Sequence, residues 1–214
     1  MKTKSLLIIS FLLLIFSKTQ AQDFYLGFRV DPTIGFFQSD DARFKSDGSK
    51  LGLNFGIIAD YKLTNNYLLG TGLSVNTMGG KFIDTQDLTN IKNNNYSLRY
   101  LEIPITLKLR TNEIGYSKYF GQFGLTPGIN IRARNNGDLK QGSILIPNPK
   151  KDISDEINDF RVGLVIGGGV EYSLGDRTAF IGGLSFNNGL TDISDDKDYK
   201  VLNSYVALNL GIIF

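Results

Sequence analysis

Apolar and polar residues alternate with a period of two along most of this chain. The last ten residues show the pattern most clearly, because every second residue is large and apolar: Val206, Leu208, Leu210, Ile212 and Phe214. A two-residue period is typical of a β-strand, whereas a helix repeats every 3.6 residues. The same period predicts eight strands, at residues 24–36, 51–62, 67–76, 97–110, 119–134, 160–173, 180–187 and 205–214. No helical period persists over a comparable length, so the sequence predicts an all-β fold.

The connections between these strands alternate in length. Long polar segments occupy residues 39–49, 79–96, 135–158 and 188–200, and shorter ones occupy 63–66, 111–118 and 175–177. An even strand count with short periplasmic turns and longer extracellular loops is typical of bacterial outer-membrane barrels. The chain is therefore expected to form an eight-stranded antiparallel up-and-down transmembrane β-barrel with both termini on the periplasmic side.

Two features indicate that the apolar face points outward, to lipid, and not inward as in a lipocalin. The more polar face is rich in glycine, which a narrow lumen needs because side chains from opposite walls must share the space. Aromatic residues also recur at the periplasmic strand ends, as in the girdles of membrane barrels. The predicted girdle consists of Phe24, Tyr61, Tyr67, Tyr119, Tyr172, Phe180 and Phe214.

The beginning of the chain has the pattern of a secretory signal peptide. Lys2 and Lys4 precede an apolar run over residues 6–16, and small residues follow up to Ala21. The run is shorter than the roughly 20 residues of a membrane span, although an uncleaved anchor is the alternative. We expect a signal peptide at 1–21, cleavage near Ala21, and an outer-membrane barrel domain at 22–214, in contact with outer-membrane lipid.

Two segments resemble a known family. Residues 100–110, YLEIPITLKLR, and residues 119–128, YFGQFGLTPG, are similar to consecutive strands of the outer membrane protein beta-barrel family often called PorT-like. The resemblance implies a small barrel in the outer membrane. The namesake of the family takes part in type IX secretion, so the resemblance also implies, as an alternative function, an accessory role in a secretion or transport assembly.

The residue inventory excludes several chemistries. The chain has no His and no Cys, so it cannot form the Ser-His-Asp, Cys-His or His-metal sites on which outer-membrane barrel enzymes rely. We therefore predict no catalytic residues, no cofactor and no metal, and a protein that is not an enzyme, with acid–base work by paired carboxylates as the alternative. Cleavage after Ala21 leaves 20 basic and 21 acidic residues, a balance that argues against nucleic-acid binding.

Charged residues of both signs fall on the predicted lumen face. Buried charges are tolerated when they are paired, so the simplest interpretation is a neutralising plug that blocks conduction. The predicted plug consists of Arg29, Asp31, Glu102, Arg132 and Arg161. Further charges are expected nearer the periplasmic end, namely Asp60, Lys62, Lys108, Arg110 and Glu171.

The loops at 135–158 and 188–200 are the predicted sites of contact with protein partners. The apolar triplet at 144–146 would either dock a partner or extend a hairpin above the membrane. The four aspartates at 192, 195, 196 and 198 are better explained as a solvated acidic loop than as a Ca²⁺ site, because the spacing lacks the features of an EF-hand. The sequence predicts a structural or interaction protein, with a secretion accessory as the alternative.

Overall fold

The protein folds as an antiparallel β-sheet that closes on itself. The computed structural model describes residues 23–40, 44–84, 90–141, 144–147, 151–175, 177–195 and 200–214. The predicted signal peptide at 1–21 lies outside these described residues. The wall strands are β1 (Phe24–Ser39), β2 (Phe44–Lys62), β3 (Tyr67–Asp84), β4 (Asn90–Glu102), β5 (Ile105–Arg110), β6 (Ser117–Asn135), β10 (Phe160–Ser173), β11 (Ala179–Gly189) and β12 (Val201–Ile213).

Short elements fill the connection between β6 and β10. They are β7 (Asp138–Gln141), β8 (Ile144–Pro147), β9 (Lys151–Asp152) and a 3₁₀ turn at Ser154–Glu156. Among the described residues, no helix is long and apolar enough to cross a membrane.

Apart from β4 and β5, each wall strand pairs with the next along the chain, and β12 returns to pair with β1. Both β4 and β5 pair with β3 on one side and with β6 on the other, so together they occupy one position in the ring. The ring therefore has eight positions, and the predicted eight-stranded antiparallel up-and-down barrel is confirmed.

Pro104 divides the fourth wall position, which the sequence predicts as one strand, into β4 and β5. Proline has no N–H to donate to a neighbouring strand. The register nevertheless continues across the break, because Glu102 pairs with Gly128 and Ile105 pairs with Leu125. The interruption is therefore local and does not change which side chains face the lumen.

The wall alternates between an apolar outer face and a polar inner face. Ile105 and Leu184 on the outer face are 52% and 60% exposed, whereas Asp31 and Asn76 on the inner face are completely buried. An apolar surface on the outside of a closed ring matches a lipid environment. The predicted direction of the two faces is thus confirmed along this part of the wall.

Several strands are much longer than a membrane crossing requires. A transmembrane strand needs about 9–11 residues, whereas β2 has 19, β3 has 18 and β6 has 19. The prediction of long loops at 39–49 and 79–96 is wrong, because most of these residues continue the strands. Phe44 pairs with Asp84, and Asp84 pairs with Lys92, so the wall projects beyond the apolar band at the end of the barrel with the longer connections.

Candidate functional site

Ion pairs join three strands near the short-turn end of the lumen. Lys108 Nζ on β5 lies 2.5 Å from Asp60 Oδ2 on β2 and 3.0 Å from Glu171 Oε1 on β10. Arg110 Nη1 lies 3.3 Å from the second oxygen of Glu171. All four side chains are buried, so each charge depends on the others for compensation.

A second network crosses the middle of the lumen around Arg161 on β10. Its Nη1 lies 3.3 Å from Glu102 Oε1 on β4, and its Nη2 donates to the side-chain oxygen of Asn187 at 2.7 Å and to the backbone oxygen of Asn203 at 2.8 Å. Tyr205 donates its hydroxyl to Glu102 at 3.3 Å. One guanidinium therefore ties together four positions of the ring.

The third group of charges is an ion pair on a single strand. Arg29 and Asp31 are two residues apart on β1 and form an ion pair, and Asp31 also accepts the backbone N–H of Leu210 at 3.1 Å. A void of about 70 Å³ between these three groups of charges is lined by Asp31, Glu102 and Lys108, among others. A cavity needs about 10–15 Å³ of such volume to hold one water molecule, so this void has room for a few water molecules.

Above the charged networks, at the end with the longer connections, the lumen becomes apolar. Phe37 and Phe82 are stacked with their ring centroids 5.2 Å apart, and Tyr96 meets Phe37 edge-on at 5.9 Å. A cavity of about 430 Å³ lies beside them, and Ile153 and Ile193 from the connections also line it. We call this cavity the apolar chamber.

Three carboxylates, those of Asp155, Glu156 and Asp195, border the apolar chamber. Two contacts hold the segments that carry them: the N–H of Asp195 donates to the backbone oxygen of Glu156 at 3.2 Å, and Ile157 pairs with Ser194. The chamber therefore combines aromatic walls with an acidic border, and two linked connections hold that border.

The sequence profile of the outer membrane protein beta-barrel domain family matches residues 20–195. The chain belongs to this family. Membership agrees with the closed ring and the apolar outer face, and it identifies the protein as a barrel of the bacterial outer membrane. The PorT-like subgroup is a finer distinction than this match makes.

A solved structure of an outer-membrane protein has a similar fold. Neisserial surface protein A is 14% identical, with 89% of this chain and 96% of that chain covered and a TM-score of 0.53. OprG from Pseudomonas aeruginosa is 12% identical, with 90% and 96% covered and a TM-score of 0.46. At such identities the likeness concerns the fold alone. No curated protein sequence matches the chain.

In this outer-membrane barrel, the residues of the predicted aromatic girdle all lie at the short-turn end. Six of them are exposed on the outer face, namely Tyr61, Tyr67, Tyr119, Tyr172, Phe180 and Phe214. Phe24 is partly buried, with its ring 6.3 Å from that of Tyr61. Their role as anchors at the membrane interface remains a prediction.

Four of the five predicted plug residues line or cross the lumen, but the prediction for Arg132 is wrong. Arg99 pairs with Arg132 and Tyr100 pairs with Asn130, which leaves Ile131 as an extra residue in β6. Such a bulge reverses the two-residue alternation beyond it. Arg132 is therefore exposed, and Ala133 is buried in its place.

The acidic loop has a structural role that its composition does not reveal. One carboxylate oxygen of Asp192 accepts the backbone N–H groups of Ser194 at 3.0 Å and of Val201 at 2.9 Å. Asp192 thus braces the connection that carries Asp195. Residues 196 and 198, which belong to the same predicted loop, lie outside the described residues.

Sequence reasoning missed the apolar chamber. Met78 and Phe82 belong to the same face of β3 as the glycines and asparagines of the lumen. Phe37 is buried on the lumen side of β1, directly after the outward-facing residues of that strand. The available signal was the appearance of large apolar residues on the polar face near the long connections. In a strand extending beyond the membrane, that change indicates a second, apolar interior.

Proposed function

We propose that this outer-membrane barrel does not conduct solutes and acts at the cell surface through its projecting strands and loops. The observation that carries the proposal is the Arg161 network, which spans the lumen from β10 to β4, β11 and β12. An eight-stranded barrel has an interior just wide enough for side chains. We expect the ion pair and hydrogen bonds of Arg161 in that space to block the passage of a hydrated ion.

The surface role is supported by the projecting wall beside the 135–158 connection. Residues 138–141 of β7 pair with 90–93 of β4, and β8 adds to β7. Among the described strands, β8 is the last in this row, so its outer edge offers backbone groups for pairing with another chain. This arrangement combines the two alternatives for residues 144–146, since an extended hairpin can also be a docking edge.

Planar-bilayer recording tests the closed lumen. We expect the purified wild-type barrel to leave the bilayer conductance at its baseline, and large steady channels would overturn the proposal. The matched variants are Arg161→Ala, which removes the centre of the network, and Arg132→Ala, which removes an exposed arginine. Only Arg161→Ala is expected to increase leakage.

A surface partner is tested by crosslinking in intact cells, followed by purification of the barrel. Deletion of residues 138–147 should remove the crosslinked partner while the barrel still reaches the outer membrane. An unchanged set of crosslinked proteins would argue against partner binding through this hairpin.

The accessory role in secretion is the second candidate, and it rests on the resemblance of residues 100–110 and 119–128 to PorT-like strands. Loss of secreted proteins on gene deletion, together with secretion components among the crosslinked partners, would favour it. We further infer a non-enzymatic role from the lack of His and Cys. Mass spectrometry of the purified protein tests the predicted cleavage near Ala21.

A further inference from the structure

We propose that the apolar chamber binds a small organic cation with an aromatic or branched alkyl body and an amino group. The inference goes beyond the proposed surface role, because it requires neither a protein partner nor the absence of conduction. It rests on the size of the chamber, the arrangement of its aromatic rings and the charge at its border.

The size of the chamber suits a small molecule. Its volume of about 430 Å³ lies within the range of roughly 300–1,000 Å³ that is common for ligand sites. Phe82, Leu98 and Val201 line it from the barrel wall, and Ile153 and Ile193 line it from the connections. A ligand would therefore contact side chains from both the barrel wall and the connections.

The aromatic side chains are already arranged as a binding wall. The rings of Phe37 and Phe82 are 9° from parallel, and Tyr96 lies edge-on to both, at 82° and 75°. Mutual packing limits the movement of these rings, which lowers the entropy cost of ligand binding. Aromatic faces accept apolar groups and also attract ammonium groups.

The charge at the border selects a cation over an anion. Lys151 neutralises Glu156 through an ion pair of 2.5 Å, but Asp155 and Asp195 form no ion pair within the described part of the chain. Among the described residues that line the chamber there is neither Lys nor Arg. An amine on the ligand would compensate the carboxylates of Asp155 and Asp195, whereas a ligand carboxylate would be repelled.

The border is held in position before any ligand arrives. Ser154 donates its backbone N–H and its hydroxyl to Asp152, at 3.0 and 2.7 Å. Its hydroxyl oxygen also accepts the N–H of Ala133 from β6 at 3.4 Å. The turn that carries Asp155 is thus fixed to the wall, and the backbone bond to Asp195 fixes the other connection to this turn.

The test uses the full barrel in phosphatidylcholine nanodiscs and three ligands of similar size: phenethylamine, phenethyl alcohol and 3-phenylpropanoic acid. Saturation-transfer NMR and calorimetric titration measure their binding to the wild-type protein. We expect phenethylamine to bind saturably and the other two about fivefold to tenfold more weakly, as the loss of partly exposed ion pairs implies. Equal binding of all three would overturn the proposal and indicate a site for lipid or detergent chains, and no saturable binding would also overturn it.

Variants then assign the binding to the chamber. The double substitution Asp155→Asn with Asp195→Asn should weaken phenethylamine binding to the level of phenethyl alcohol, and Val201→Trp should weaken binding by occupying part of the cavity. Glu113→Gln, at an exposed carboxylate near the short-turn end, is the matched control and should bind as the wild type does. Undiminished binding by folded Val201→Trp protein would contradict the assignment. The ligand series on the wild type decides the chemistry even where a variant fails to fold.

Discussion

The guanidinium of Arg161 and the carboxylate of Glu102 lie 3.3 Å apart across the lumen, with 0% and 2% of their side chains exposed. Loss of one member of such a pair leaves an uncompensated buried charge, whereas loss of both leaves none. Each partner therefore stabilises the fold mainly by compensating the buried charge of the other.

Glu102→Gln should lower the free energy of unfolding by about 3–5 kcal/mol, because Arg161 would remain buried without a counter-charge. Urea unfolding in lipid vesicles, followed by far-UV circular dichroism, measures the change, since the chain has no Trp for fluorescence. Ser185→Ala, at a neutral lumen position, is the control. The double variant Glu102→Gln with Arg161→Gln should lose less than the sum of the two single variants, and additive losses would argue against direct coupling.

Gly163→Ala should disturb the same network from a neighbouring position. A methyl group there would lie 2.1 Å from the side-chain oxygen of Asn187, which is bonded to Arg161. Overpacking of this kind costs about 1–3 kcal/mol. Gly182→Ala is the matched control in the adjacent strand, because the contact of its methyl group with the described residues would be with Phe180, at 3.9 Å. Similar stabilities of the two variants would show that the network tolerates displacement of Asn187.

Ile105→Arg should lower the free energy of unfolding by about 2–4 kcal/mol if Ile105 faces lipid near mid-bilayer. Ile105 is 52% exposed on the outer face. Ile105→Ala removes the apolar side chain without adding a charge and should cost less. Gln38→Arg, also exposed but beyond the apolar band, should have little effect. A cost for Gln38→Arg as large as for Ile105→Arg would contradict the assigned limit of the lipid-facing surface.

Arg132→Ala should change the free energy of unfolding by no more than about 0.5 kcal/mol, as is usual for exposed positions. The bulge in β6 places this side chain outside the lumen, so its removal leaves the buried ion pairs intact. The same unfolding assay compares it with Arg161→Ala, for which a loss of several kcal/mol is expected. A similar loss in both variants would place Arg132 in the network after all.

The sequence by itself determined the barrel and the direction of its two faces. A strand places alternate residues on opposite faces, so the period of two reports both the element and its orientation. Eight such periods, with alternating short and long connections, were enough to predict the ring that β1 and β12 close. Asp31, Glu102 and Arg161 were assigned to the lumen for the same reason.

Only the tertiary structure decided the register of the strands and the position at which the interior changes from charged to apolar. The pairing partner reveals the extra residue at Ile131, and this bulge moves Arg132 to the outer surface. Likewise, the chamber forms because Phe37, Phe82 and Ile193 come from distant parts of the chain. Local periodicity contains no information about which residues face each other across the sheet or across the lumen. Those facing positions determine which charges pair and which side chains enclose a cavity.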